Sequence, residues 1–136
     1  MINEKYSLLI KKALEARKKS YSPYSCFAVG AALLCADGTI FTGANIENSS
    51  YTPTVCAERV AFFSAIHQGH KDFTAIAIIG GKTNEEICNF CPPCGVCRQI
   101  MSEFCEGDFE IILSDGKEAR VLTLDELLPN RFDLLK

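Results

Sequence analysis

Four cysteines, Cys88, Cys91, Cys94 and Cys97, recur at every third position of CNFCPPCGVCRQ, and Cys56 stands two residues ahead of a glutamate in TVCAER. Thiolates do two kinds of chemistry, ligation of soft or borderline metals and disulfide exchange. The Pro92-Pro93 pair decides which of the four can act together. A residue before proline is pushed to an extended backbone, so Cys91 and Pro92 stay outside a helix, whereas Pro93 suits a first helical position. The helix is therefore expected to start at about Pro93 or Cys94. Cys94 and Cys97 then share one face of its first turn, beside free N–H groups and the positive end of the helix dipole, which favours thiolates. Cys91 is left outside the turn, and Cys88 falls further back, in the loop after Gly80-Gly81.

Other uses of this spacing fit less well. A bacterial ferredoxin run needs a longer last gap and a proline after its fourth cysteine, where this chain has Arg98. A four-thiolate structural zinc usually separates its pairs by ~15–20 residues. A thioredoxin-type redox pair leaves TVCAER unexplained. Taken alone, Cys56 reads as a small buried residue and Glu58 as a favourable charge in a helix's first turn. Paired with PCxxC, Cys56 supplies a third thiolate from a second helix start. Three protein ligands with an open fourth position for water make the pattern of a catalytic zinc. Glu58 would reach that water without binding the metal.

The elements that must position these residues can be read from periodicity. Tyr6, Leu9, Ile10, Ala13 and Leu14 recur at helical spacing, with Lys11, Lys12, Glu15 and Lys18 opposite. VGAALLCADGTIFTGANIE places Asp37-Gly38 between two apolar runs, a hairpin signal. TVCAERVAFFSAIHQG reads as a helix from about Cys56 to Gly69, apolar around most of its surface and so expected to be buried. FTAIAIIGG suits an interior strand, CGVCRQIMSEFC resumes helical spacing, and FEIILSDGKEARVLTL carries a second hairpin at Asp115-Gly116. The order helix, hairpin, helix, strand, helix, hairpin predicts one mixed sheet with helices on its faces, an α/β sandwich.

Length and charge narrow the class. A chain of 136 residues, 48% hydrophobic, suits one domain spanning 1–136. The net charge of −3 comes without a basic stripe, which disfavours a nucleic-acid partner. MINEKYSLLIKKALEARKKS is charged throughout, unlike a signal peptide or a membrane span, so the expected location is cytoplasmic and the cysteines are expected to be reduced. Cys26, Cys35 and Cys105 read as small buried apolar residues. His67 and His70, at the end of the second helix, complement its dipole and are given no catalytic role.

A Cys-x-Glu segment followed by Pro-Cys-x-x-Cys is the signature of zinc deaminases, and Cys56-Ala57-Glu58 and Pro93-Cys94-Gly95-Val96-Cys97 match it. With SPYSCFAVGAAL, GANIENSSY, CAERVA and CPPCGVCRQ, the chain resembles the small homotetrameric cytidine deaminases over most of its length. The resemblance implies a three-layer α/β/α sandwich with a five-stranded mixed sheet, the cytidine-deaminase fold. It also implies one Zn2+ per subunit, held by Cys56, Cys94 and Cys97, with Glu58 as general acid/base in the hydrolysis of cytidine or deoxycytidine to the uracil nucleoside and ammonia. Arg59 resembles the arginine that hydrogen-bonds the ligand sulfurs, offsetting three thiolates on one dication.

By the same resemblance Asn45 and Glu47 hold the ribose hydroxyls, and their chemistry favours a nucleoside over a nucleotide. Phe27 packs on the base, backbone groups of Ala57 contact it, Tyr51 and Tyr24 are site-wall residues, and Phe132 closes over a neighbouring subunit's site in a homotetramer. Cys88 and Cys91 depart from the usual pattern ahead of Pro-Cys, leaving a metal-scavenging or redox role open. Two other readings remain: a blasticidin-S-type deaminase of the same fold, and a structural zinc-binding module. A nucleic-acid-editing deaminase is disfavoured because SDGKEA offers only a tight turn between the last strands.

Overall fold

The computed structural model describes residues 3–86 and 88–135. Its elements are α1 (Glu4–Arg17), β1 (Phe27–Cys35), β2 (Ile40–Ala44), α2 (Ala57–His67), β3 (Phe73–Lys82), α3 (Gly95–Phe104), β4 (Glu110–Ser114), β5 (Ala119–Thr123) and α4 (Leu124–Leu127). The five strands form one sheet in the order β2-β1-β3-β4-β5, in which only β3 and β4 pair in parallel. This is the mixed sheet expected, with the β-branched run at its centre.

Strand alternation sends side chains to two faces. Ala31, Leu33, Cys35, Ile76, Ile78, Ile111 and Leu113 pack with Ala61, Phe62 and Ala65 of α2 and Met101 of α3. Ala32, Ala75, Ala77, Ile79 and Ile112 pack with Leu9 and Ala13 of α1. The result is helix, sheet, helix in three layers. Two glycines let helices sit directly on the strands. A Cβ on Gly30 would lie 1.9 Å from the Ala13 carbonyl oxygen of α1, and one on Gly43 would lie 2.4 Å from the Ala57 carbonyl oxygen and 2.7 Å from the Ala61 nitrogen of α2.

Both hairpins turn at Asp-Gly, with Gly38 at φ 93° and Gly116 at φ 95°, the left-handed backbone that glycine adopts without strain. Three details differ from the sequence reading. Cys26 is exposed with φ 57°, because the chain reverses there to enter β1 instead of burying the thiol. The apolar surface of α2 is not wholly covered, since Phe63 faces outward. The short α4 was not anticipated, although TLDE holds its signal: Thr123 and Glu126 form a reciprocal capping box.

Candidate active site

Two helix starts meet at one end of the sheet. Cys56 is the N-cap of α2 and Cys94 the N-cap of α3, so α3 begins at Gly95, one residue after Cys94, and Pro93 precedes the cap instead of taking the first helical position. Serine, threonine, aspartate or asparagine usually fills this position. The Cys56 side chain makes no capping bond, while Cys94 Sγ accepts from the Cys97 amide at 3.5 Å. Cysteine at both caps puts sulfur where the backbone amides and helix dipoles favour negative charge.

The three sulfurs converge. Cys56 and Cys94 Sγ are 3.8 Å apart, Cys94 and Cys97 Sγ are 3.4 Å apart, and all three lie within 4.8 Å of one another. Two ligands of a tetrahedral ion at a zinc–sulfur length of ~2.3 Å are separated by about 3.8 Å, so the trio fits zinc. Arg59 Nη2 donates to Cys56 Sγ at 3.3 Å. A hydrogen bond from Cys97 pulls the Cys56 thiol down to about 5, with Arg59 adding to the effect, whereas the same bond and burial hold Cys97 well above the ordinary thiol range. The site thus favours thiolate at Cys56, and ligation of a dication would displace the remaining thiol protons.

Glu58 is 4% exposed, in the first turn of α2. Burial pushes its carboxyl up to about 7, and the negative charge of Cys56 adds to this. A buried carboxyl that titrates near neutrality is matched to accepting and returning protons at physiological pH. Ala57 is fully buried between it and Cys56.

Phe27, Gly80 and Cys91 form the adjoining wall: a Cβ built on Gly80 would meet the Phe27 ring at 2.8 Å and Cys91 Sγ at 3.3 Å. Cys91 is half-buried, and burial, with the charges of Glu58 and Cys56, pushes its thiol up to about 11. It therefore lines the site as a neutral thiol outside the sulfur trio, a wall position that sequence reasoning had left open.

Asn45 and Glu47 follow β2 and are both half-buried. The Asn45 side chain accepts from Val29 N at 2.9 Å and Ser20 Oγ at 2.5 Å, and it donates to the Phe27 carbonyl at 2.9 Å. Glu47 accepts from the Tyr24 and Ser25 amides at 2.9 and 3.1 Å and from the Ser25 hydroxyl. The Ser25 hydroxyl bond holds the Glu47 carboxyl below its usual range, with the backbone amides contributing. Each side chain thus fixes the loop that delivers Phe27. Tyr24 and Tyr51 meet edge to face at 5.9 Å, with Tyr51 70% exposed at φ 64°.

The C-terminal segment is tied to α3. Arg98 donates to the Pro93 and Leu127 carbonyls at 2.7 and 2.6 Å, and Gln99 donates to the Phe132 carbonyl at 3.3 Å. Arg131 pairs with Asp125. Phe132, 67% exposed, is therefore anchored by its backbone while its ring faces outward. Sequence reasoning missed Arg98 and Gln99; the only signal was their place in the first turns after Cys97.

Fold and site define a zinc-binding deaminase. The chain belongs to that family: it matches the cytidine and deoxycytidylate deaminase zinc-binding region over residues 3–112. It is 47% identical over 126 residues to a cytidine deaminase of Halalkalibacterium halodurans, covering 92% of each chain. Its structure is similar to that of a cytidine deaminase from Burkholderia pseudomallei, with a TM-score of 0.85 and 41% identity over 96% of this chain and 100% of that one. A blasticidin-S deaminase of Bacillus cereus is 34% identical over 107 residues, 76% of each chain.

Proposed function

We propose that this chain is a zinc-dependent deaminase that hydrolyses cytidine and deoxycytidine to uridine and deoxyuridine, releasing ammonia, with residues 1–136 acting as one domain. The observation that carries the reading is the convergence of the Cys56, Cys94 and Cys97 sulfurs beside buried Glu58. Cys56, Cys94 and Cys97 would hold the zinc, which when bound would supply a Lewis acid and lower the pKa of water. Glu58 accepts the proton of the attacking water, delivers it to N3 of the base and assists departure of the amine. The hydrogen bond from Cys97, with Arg59 adding to it, favours Cys56 in its anionic form, and the N-terminal amides of α2 and α3 share that charge.

Phe27 and Cys91 flank the base, and backbone groups of Ala57 contact it. Asn45 and Glu47 receive the sugar: Glu47 has acceptor capacity beyond its bonds to Tyr24 and Ser25, and Asn45 Nδ2 has a second hydrogen. Tyr51 closes one side. Supporting a homotetramer are the anchored but outward-facing Phe132 and the exposed Phe63, Leu134 and Leu135, with Phe132 covering a neighbouring subunit's substrate. Among the described residues no helix is long and apolar enough to cross a membrane. A cytoplasmic enzyme of pyrimidine salvage fits these features and the need of three free thiols for a reducing compartment.

The test is loss of cytidine absorbance with stoichiometric ammonia on addition of the purified protein. Bound zinc without ammonia release would replace this reading with a structural zinc module. Turnover of blasticidin S in preference to cytidine would move the chain to the other deaminase branch.

A further inference from the structure

A second group of metal-ligating side chains stands at the other end of the sandwich. The Cys35, Asp37 and His70 ligand atoms lie within 4.8 Å of one another. Cys35 ends β1, the strand that Phe27 begins. Eight residue steps at ~3.3 Å each put the two ends about 26 Å apart. His70 likewise follows the C-terminal end of α2, whose first turn carries Cys56 and Glu58. This cluster is separate from the sulfur trio.

Three features make it a built arrangement. Cys35 is 2% exposed, and its backbone closes the hairpin turn by accepting from Gly38 N at 3.0 Å and donating to Thr39 O at 2.8 Å. Asp37 is oriented by the Thr39 amide, which donates to its Oδ1 at 3.0 Å, so that Oδ2 faces His70 Nδ1 at 3.5 Å. The imidazole is held edge-on against Phe41, ring centroids 5.0 Å apart, and its backbone donates to Ala65 O at 3.0 Å. Two first-row-metal ligands with bonds of ~2.0–2.1 Å in tetrahedral arrangement stand about 3.3–3.4 Å apart, close to the Asp37–His70 spacing. The sulfur forms the dry side, and the exposed carboxylate leaves a path for entry and room for water as a fourth ligand.

We propose that Cys35, Asp37 and His70 form a second cation site that takes a divalent transition ion of the zinc or cobalt type. Thiolate with imidazole selects against magnesium and calcium, which prefer all-oxygen shells, and one carboxylate suits a borderline ion. On binding, the Cys35 thiol gives its proton to solvent, and the ion joins the β1–β2 turn to the turn after α2. Its role is to staple these two turns, with no part in deamination.

The experiment uses untagged protein carrying one equivalent of zinc, dialysed against Co2+, with both metals then quantified. The expected result is a second equivalent per chain with thiolate-to-cobalt charge-transfer absorption. That equivalent should be lost in Cys35→Ser, Asp37→Ala and His70→Ala, while the first equivalent and cytidine turnover remain. Should the buried Cys35→Ser variant fail to fold, the two surface variants still decide. Uptake that stops at one equivalent, or a second equivalent that survives in His70→Ala and Asp37→Ala, overturns the proposal.

Discussion

Arg59 Nη2 sits 3.3 Å from Cys56 Sγ, so the residue after Glu58 reaches back across its own helix turn to one of the sulfurs. A lone zinc with three thiolates carries a net charge of −1, which weakens its pull on water. A guanidinium on one sulfur withdraws part of that charge. Arg59→Ala is expected to keep the fold and lower metal affinity or turnover by about 10–100-fold. Arg59→Lys should recover only part, because a point charge replaces a planar fork. Unchanged zinc affinity and kcat in the alanine variant would remove the arginine from this role.

Glu58→Gln is expected to retain zinc and nucleoside binding and to lose turnover by at least about 10²-fold, because proton transfer is lost while the metal ligands remain. The pH dependence follows from the direction of the shift. The carboxyl is raised from 4.5 to about 7 by burial, and the base must be deprotonated to act. The kcat/KM profile should therefore rise with pH through the Glu58 pKa and flatten above it. The residual activity of the glutamine variant should lack this limb, and a profile that keeps it in Glu58→Gln would assign it to another group.

Cys91→Ser should keep nearly full zinc content, while Cys94→Ser and Cys97→Ser should lose both zinc and activity. Cys91 is not among the three converging sulfurs, and its Sγ lies beside Gly80 instead. Metal analysis finding zinc in the Cys94 variant and none in the Cys91 variant would reverse the assignment.

The C-terminal segment gives a prediction about assembly. Truncation before Pro129 should weaken substrate binding, and mixing inactive Glu58→Gln subunits with Phe132→Ala subunits should restore some sites. A protein that sediments as an active monomer, or mixed oligomers without complementation despite confirmed exchange, would rule out a shared site.

The local rules that made the site legible act over a few residues. Pro92-Pro93 dictated where α3 begins, and Asp37-Gly38 and Asp115-Gly116 dictated the hairpins, each through backbone sterics that tertiary contacts did not override. Cys56 could be joined to Cys94 and Cys97 only because the pair of motifs matches a known signature; nothing within TVCAER alone requires a metal. The missed features depend on distance in sequence. Arg98 finds a carbonyl on α4, Gln99 finds one at Phe132, and Cys91 and Phe27 both crowd the place a Cβ on Gly80 would take. Cys26 departs from the rule that a small apolar thiol is buried, because it is held at positive φ where the chain enters β1.

Gly43 makes the sheet a reference surface against which the chemistry is aligned. The α2 backbone rests where a methyl group would otherwise stand, so the helix that carries Cys56 and Glu58 is seated against a hard stop while α3 brings its sulfurs from a separate direction. The 3.8 Å gap between Cys56 and Cys94 is therefore a tolerance set in part by the strand on which α2 is seated. Gly43→Ala should cost about 1–3 kcal/mol of stability by overpacking. Because the displaced part is the seat of α2, zinc affinity should fall in the same variant even where enough protein remains folded to assay. Gly30→Ala, which displaces α1 on the opposite face, should lower stability while leaving the zinc affinity of the folded fraction intact. Equal loss of metal affinity in both would mean that the alignment is not set at Gly43.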